Sequence, residues 1–490
     1  MSESLIWSAV ALYLVVSLMV AWCSRTGQRA SMADYFLGSR QMGGVVSALS
    51  YSATTYSAFM MVGLAGLTYA GGVGAFGFEI LYFAGVSLVA IFGPRFWAVG
   101  RHFGFVTPGE MLGHRYEHRG VAVAVTLTSC LFLIPYAAVQ LAGVGYLLSG
   151  MSGGAVSFIT GVVVATVLAI VFSRVAGMRS VAWTDSLQAL FMIVASTTVA
   201  LLVVQALGGF GALFERLALE HPQSLVVPGN GVFNLVNFLG LTLPWFFFSL
   251  SNPQVSQRLF MPKDLSAMRR MLLGFLVFGF IYTLVSVLWG FSALVAFPDL
   301  ASPDLATPTL LASTHVPPVL GVIVMVGILA AAVSTIDSIM LTLASMIARD
   351  LRVPSTGGAG KEAGEQAQLR LGKWVMPLIA LIALGFAELR LDLIAVLSVA
   401  SSSGLVVAVP AIVGAFFWSR GTAAGVLVSI LGAGALVLAS FVTGIKPLGM
   451  PAGLWGLPVA TLLYIAASLV TLPPRHAGQF MQIAARQGRG

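Results

Sequence analysis

Residues 327–351 read GILAAAVSTIDSIMLTLASMIARDL, a stretch apolar enough to lie in a bilayer that still carries Ser334, Thr335, Asp337, Ser338, Thr342 and Ser345. At about 100° per residue, Ala331, Ser334, Thr335, Ser338, Thr342 and Ser345 fall on one helical face, with Asp337 at its edge. Hydrocarbon offers those oxygens no partner, so something inside the protein must satisfy them. Two explanations compete. Serine and threonine hydroxyls can bond back to their own helix or join two helices. Alternatively, clustered oxygens can hold a hard cation, and a single carboxylate suits a monovalent one. An unpaired Asp337 at membrane depth is costly, and this favours a cation site.

The rest of the chain supports a membrane setting. Of 490 residues, 58% are hydrophobic and only 9% charged, where a soluble domain carries about 25% charged residues. Apolar runs of bilayer-crossing length recur throughout, which defines an all-α polytopic membrane protein. The isoelectric point near 9.7 does not indicate a nucleic-acid partner, because the basic residues sit in short loops between spans. Cys23 and Cys130 lie in apolar helices and imply neither a disulfide nor a metal site. His102, His114 and His118, with Glu110 and Glu117, read as a solvated loop rather than a metal cluster. No nucleophile–base pair, phosphate loop or zinc spacing appears, so enzyme chemistry is not expected. The N-terminus lacks a basic leader and cleavage motif, so the first span is expected to be retained.

The hydropathy pattern predicts thirteen spans, at about 4–23, 44–70, 76–99, 120–149, 155–174, 181–206, 231–256, 272–297, 317–349, 371–388, 392–418, 421–443 and 451–472. Alternating the loops leaves only Arg216, Arg390 and Lys446 on one side and the other 22 of 25 Lys and Arg, Arg258 among them, on the opposite side. That basic side is expected to be cytoplasmic, with the N-terminus outside and the C-terminus inside.

Two spans carry signs of interruption. The second, SALSYSATTYSAFMMVGLAGLTYAGG, is dense in small and hydroxylated residues from Ser47 to Ser57. A break near Ala53-Thr54-Thr55 would free carbonyls for a cation and expose a half-helix N-terminus to an anionic group; a close-packed helix interface is the alternative. The seventh contains Pro244 and Pro253, with Asn252, Gln254 and Gln257 making one half polar, and the aromatic run Trp245 to Phe248 lies beside it. Glu79, Gln140 and Asp185 are further polar groups inside spans. No Lys or Arg is expected on the spans around Asp185, so it must be protonated, cation-bound or wet. Residues 297–318 form a Pro-rich external segment with a short helix, 355–366 a flexible linker, and 398–410 another hydroxylated patch.

These motifs resemble the sodium:solute symporter family. The resemblance rests on DYFLGSRQMGG at 34–44, LSYSATTYSAFMMVGLAG at 49–66, SVAWTDSLQ at 180–188, NPQVSQRLFMPKD at 252–264 and ILAAAVSTIDS at 328–338. It implies a LeuT-like inverted repeat of five plus five helices. Residues 44–206 and 231–418 would form the repeats, with 1–43 preceding them, 207–230 an external loop between them, and 419–490 two further helices and a short tail. It implies Na⁺ as coupling ion, bound by carbonyls of Ala53, Tyr56 and Ala331 and hydroxyls of Ser334 and Thr335. A second cation site, as in some relatives, would use Asp185, Ser334, Ser338 and Asp337, although those relatives have a hydroxyl where this chain has Asp337. By position the solute would meet Thr54, Thr55, Ser57, Glu79, Gln140, Trp245, Phe248 and Ser249, with no fixed Arg or Lys.

Members with proline specificity carry an aspartate at the position of Thr55, and sugar transporters a polar group at that of Trp245. A monocarboxylate, a pantothenate-like carboxylate or an amino acid is the expected solute, carried by a monomer in the plasma (inner) membrane. Proton coupling through Asp185 or Asp337 is an alternative. A non-transporting sensor is another, disfavoured because residues after Leu472 carry no signalling domain.

Overall fold

The computed structural model describes residues 2–23, 31–175, 177–351, 358–389 and 394–485. Regular structure among them is helical, apart from one isolated bridge between Met42 and Pro262. Ten helices are long and apolar enough to cross a membrane, and three shorter apolar helices accompany them at Phe59–Gly71, Phe158–Ser173 and Leu235–Phe246.

The helix at Pro318–Asp350 is the axis of the bundle. It starts with proline in its first turn, where the missing N–H would have had no helical acceptor anyway. Its 33 residues extend about 50 Å, beyond a hydrocarbon core of about 30 Å. Of its most apolar window, 78% is buried, against 22% for the first helix, Glu3–Cys23, which lies at the periphery. It packs against the helices Arg119–Met151, Met178–Ala206 and Gly358–Glu388. Central burial explains why its hydroxyls are accommodated: they face protein rather than lipid.

The second expected span is broken as anticipated. Its helix Gly44–Thr55 ends at Tyr56, with φ −93° and ψ 78°, and the chain resumes in a wide π-helical turn, Phe59–Leu64, before Ala65–Gly71. Ser52 and Thr55 spend their hydroxyls on the carbonyls of Ala48 and Tyr51, at 2.8 and 2.9 Å, local bonding that competes with helix continuation. Past the break, Ser57 Oγ accepts from the Phe59 amide at 3.3 Å. Gly279 gives the displaced Tyr56 its room, since a Cβ there would lie 2.1 Å from the phenol oxygen.

The seventh expected span is also broken, but not at Pro244. That residue sits inside the helix Leu235–Phe246. The carbonyl it leaves without a donor, that of Gly240, lies against Gly453, where a Cβ would approach it to 2.0 Å. A close backbone approach thus accommodates the freed oxygen. Interruption comes at Phe247 and again at Asn252, which is extended, as residues before proline prefer. The Asn252 side chain caps the next turn by accepting from the Gln254 amide at 3.2 Å, and a 3₁₀ turn, Gln257–Phe260, follows.

Other expectations need correction. The segment 207–230 is not simply a loop: Gly209–Glu220 is helical and buries Leu213 and Leu217 against the bundle. Of the linker 355–366, residues 355–357 lie outside the described part, and from Gly358 the chain is already in the helix Gly358–Glu388. The tail forms a helix, Ala477–Ala485, that lies on Gly74–Phe103. The external segment does contain its short helix, Ala306–Ala312.

One end of the bundle collects arginines that serve backbone carbonyls. Arg40 donates to Gly100 O and Phe105 O, each at 2.8 Å, and Arg101 to Arg40 O and Lys263 O, each at 2.7 Å. Burial, with Arg101 nearby, lowers the Arg40 pKa from its ordinary value. Arg349 pairs with Glu110 at 2.9 Å, and Asp350 accepts from Thr107 and Thr126 at 2.8 and 2.9 Å. This basic end is laced shut.

Candidate cation and solute site

The break at Tyr56 delivers the first cluster of oxygens. In a continuing helix the Ala53 carbonyl would accept from the Ser57 amide, which here lies past the break. Ala53 O instead accepts from Thr335 Oγ1 of the axial helix at 3.3 Å. Ala331 and Ser334 lie on the same helical face as Thr335, and Ala53, Tyr56, Ala331, Ser334 and Thr335 are all buried. Tyr56 is wedged by ring stacking on Phe275, centroids 5.1 Å apart. Of the first expected set, Ala53 O and Thr335 Oγ1 thus meet where the two helices join, uncharged oxygens of the kind a neutral cage would use, and the Ser334 hydroxyl turns to Asp185. Such a cage can hold a monovalent ion and release it without leaving a buried charge behind.

A charged cluster lies beside it. Asp185 accepts from Ser50 Oγ at 2.7 Å and from the Ser334 hydroxyl. Its remaining partner corrects the sequence reading: Arg258 Nη2 lies 3.3 Å from Asp185 Oδ2, with the two side chains 3% and 0% exposed. The same guanidinium donates to Ser338 Oγ at 2.7 Å and to the Thr54 hydroxyl, and its Nη1 lies 3.2 Å from Met178 Sδ. Arg258 was expected in a solvated basic loop, and Asp185 without a basic partner. Both expectations fail because the 3₁₀ turn Gln257–Phe260 is wholly buried, so the loop proper begins only after it. A clue lay in the sequence: Arg258 sits directly after a polar half-span, within NPQVSQR.

Asp337 stands apart from this cluster. Its Oδ1 is buried without a hydrogen-bond partner, and it lies in the field of Asp185 and near Tyr13 of the first helix.

The third group lies between the two broken helices. Glu79, 1% exposed, accepts from Trp245 Nε1 at 3.2 Å. Around the indole stand Phe248, Phe59, Phe78 and Tyr82, with centroids 4.7, 4.9, 5.5 and 5.8 Å away. Tyr136 packs on Phe248 at 5.8 Å, and Gln140 follows one turn later on the same helix face. Both amide atoms of Gln140, Ser249 Oγ, and the hydroxyls of Tyr82 and Tyr136 are buried without hydrogen-bond partners.

Of the expected solute residues, the structure joins Glu79, Trp245 and Phe248, with Ser249 next to Phe248 in the chain and Gln140 one turn beyond Tyr136. Thr54 joins the Arg258 cluster instead, Thr55 is bonded back to its own helix and Ser57 serves the Phe59 amide. Sequence reasoning overlooked Tyr82 and the rings of Phe59 and Phe78. The only available signal was that Tyr82 and Phe78 flank Glu79 at helical spacing.

Comparison with known proteins fits this geometry. The family model described as "Sodium:solute symporter family" matches residues 35–433. The sodium/pantothenate symporter of Escherichia coli (strain K12) is 30% identical over 323 residues, 65% of this chain and 66% of that protein. The osmoregulated proline transporter OpuE of Bacillus subtilis (strain 168) is 23% identical over 96% of this chain and 95% of its own length. Among solved structures, a substrate-bound, outward-open Na⁺-coupled sialic acid symporter superposes with TM-score 0.79 at 17% identity, covering 96% of this chain and 99% of that one. MhsT in complex with L-phenylalanine gives 0.55 at 15% identity, over 87% and 97%. The fold is therefore LeuT-like and helical, the protein is a multi-pass transporter rather than an enzyme, and Na⁺ is its coupling ion. The chain belongs to the sodium:solute symporter family.

Proposed function

We propose that this chain couples inward Na⁺ flow to uptake of an amino-acid-like zwitterion by alternating access. The observation that carries the solute class is the cluster of aromatic rings packed around the Glu79–Trp245 pair, with the unpartnered polar atoms of Gln140, Ser249, Tyr82 and Tyr136. Buried polar atoms without partners are costly, and a bound solute relieves that cost. A carboxylate flanked by aromatic faces attracts an ammonium group, and the solute carboxylate would be balanced by the Na⁺ held between Ala53 and Thr335. A plain monocarboxylate would offer Glu79 no ammonium group.

The basic end is assigned to the cytoplasm by its Lys and Arg excess, which puts the N-terminus outside and the C-terminus inside a plasma membrane. Na⁺ would steady the join between the first broken helix and the axial helix. Solute binding would then favour closure, and the polar lacing at the basic end would open to release both.

A second reading, uptake of a pantothenate-like or simple carboxylate, is supported by the 30% identity with a sodium/pantothenate symporter. The test is charge movement in proteoliposomes on adding amino acids, monocarboxylates or pantothenate, with and without Na⁺. Na⁺-dependent current with an amino acid and silence with monocarboxylates is the expected result. Current only with carboxylates lacking an amine would overturn the zwitterion assignment. Current that persists without Na⁺ would overturn the coupling assignment.

A further inference from the structure

The oxygens expected to hold a second mobile cation already hold a fixed one. Asp185 Oδ2, Ser338 Oγ and Thr54 Oγ1 all turn towards Arg258 Nη2, at 3.3 Å for the carboxylate and 2.7 Å for Ser338. Thr54 Oγ1 and Ser338 Oγ are themselves only 3.2 Å apart, so the guanidinium closes a compact ring of oxygens.

The stem of Arg258 is anchored. It rises from a buried 3₁₀ turn in which the neighbouring Gln257 Nε2 donates to Val106 O at 2.8 Å and to Ser345 Oγ at 2.9 Å. We propose that Arg258 is a tethered cation that permanently fills the second site, so that each transport cycle carries a single Na⁺ in the uncharged cage. This rests on the Na⁺-coupled reading above.

The electrostatics follow from charge and geometry. A second Na⁺ at Asp185 would face the guanidinium at contact distance in a medium that screens poorly, and only one of the two positive charges has a carboxylate to neutralise it. Asp337 stands outside the ring and makes no hydrogen bond to Arg258 or to its serines. For a mobile ion to enter, Arg258 would have to leave, stranding its own charge among Met178, Leu259 and Phe260, all buried. The arrangement also has a use on the return stroke. With Arg258 in place the empty carrier keeps Asp185 neutralised, and no proton or second ion is needed to re-orient it.

The test counts bound ions and needs no knowledge of the solute. Purified full-length protein is equilibrated with radioactive Na⁺ and the bound ions per chain are counted at saturation. Wild type should bind one Na⁺, with a Hill coefficient of about 1. Arg258→Gln vacates the ring and leaves Asp185 unpaired, so it should bind two, with the coefficient rising towards about 2. Arg258→Lys keeps a tethered charge and should return to one.

Two ions bound by wild type, or one by a folded Arg258→Gln, would overturn the proposal. Should Arg258→Gln fail to fold, Ser338→Ala carries the test. In a two-ion carrier, loss of that hydroxyl lowers the Hill coefficient from about 2 to about 1; with a tethered cation it stays where wild type has it. Zero ions bound by wild type would overturn the Na⁺-coupled reading itself, an outcome distinct from two.

Discussion

Two clusters of oxygens lie one turn apart on the axial helix, and they solve the cost of burying polarity in opposite ways. At Thr335 the partner is a carbonyl freed by a helix break, Ala53 O at 3.3 Å, and both oxygens are uncharged, while its neighbour Ser334 turns to Asp185. At Ser338 the partners are Arg258, at 2.7 Å, and the Thr54 hydroxyl, at 3.2 Å, and Arg258 is itself paired with Asp185. A neutral, loosely joined cage can admit an ion and give it up. A full charge pair sealed among apolar side chains can do neither, because parting it leaves an uncompensated charge on each side. On the function proposed above, neighbouring positions on one hydroxyl face would serve exchange at the first and fixed neutralisation at the second.

The most damaging way to break this contrast is to remove one member of the fixed pair. Asp185→Ala strands the Arg258 guanidinium where exposure is 3%. Losing one side of a buried ion pair costs about 3–5 kcal/mol. Thermal unfolding in detergent should show a large loss of stability, and a variant as stable as wild type would mean that Arg258 finds water easily and is not sealed. Thr335→Ala attacks the exchanging cluster and should do something different. It removes the hydroxyl that bonds the Ala53 carbonyl of the broken helix to the axial helix, worth about 1–1.5 kcal/mol. Half-maximal Na⁺ activation should rise by roughly tenfold, with solute affinity at saturating Na⁺ nearly unchanged. If solute affinity falls while Na⁺ activation holds, the neutral cage is not the Na⁺ site.

How this division shows in the sequence is instructive. The buried hydroxyl face and the break that meets it were legible because their signal is local: hydroxyls on one side of an apolar stretch, and a run of small residues unlike an ordinary lipid-facing helix. Both broken spans were legible for the same reason, although the interruption in the second lies at Asn252 and not at Pro244, whose freed carbonyl is absorbed by Gly453. Arg258 was misread because its partners are 73 residues away at Asp185 and 80 at Ser338. A lone arginine near the end of a span obeys the topology rule whether it faces water or turns inward, and nothing in the adjacent residues separates the two cases. The ring wall around Trp245 was likewise half visible. Glu79 and Trp245 each stood out as polar or aromatic groups in spans, but Phe59, Phe78 and Tyr82 look like ordinary apolar filling until the helices are assembled.

The proposed solute site sharpens the contrast further, since the buried polar atoms of Gln140, Ser249, Tyr82 and Tyr136 are bonded to neither cation cluster. Glu79→Gln keeps the shape and the hydrogen bond from Trp245 but removes the charge. Uptake of an amino acid should lose about tenfold in affinity, and a simple carboxylate should be admitted better than in wild type. Na⁺ activation measured at saturating solute should stay as it was. A parallel shift in Na⁺ activation would mean that Glu79 acts on the ion and not on the solute.

The smallest effect is expected at the most exposed arginine–carboxylate pair among the described residues. Arg216 Nε lies 3.0 Å from Glu220 Oε1, slightly closer than Arg258 lies to Asp185, yet its side chains are 42% and 46% exposed, where the inner pair is 3% and 0%. The hydrogen bond from Arg216 holds the Glu220 carboxyl below its ordinary range. Since the folded value is the lower one, the contribution is present above the unfolded pKa and fades as pH falls through the folded one. Water and salt screen this exposed pair, and ordering two long side chains offsets much of the attraction. Arg216→Ala should therefore leave melting temperature and transport indistinguishable from wild type at physiological salt. Arg216 also donates to Val295 O at 3.2 Å, so a measurable loss would trace to that tie between the outer helix and the bundle. Equal damage from Arg216→Ala and Asp185→Ala would refute burial as the source of the difference. The distances are already matched; only the surroundings differ.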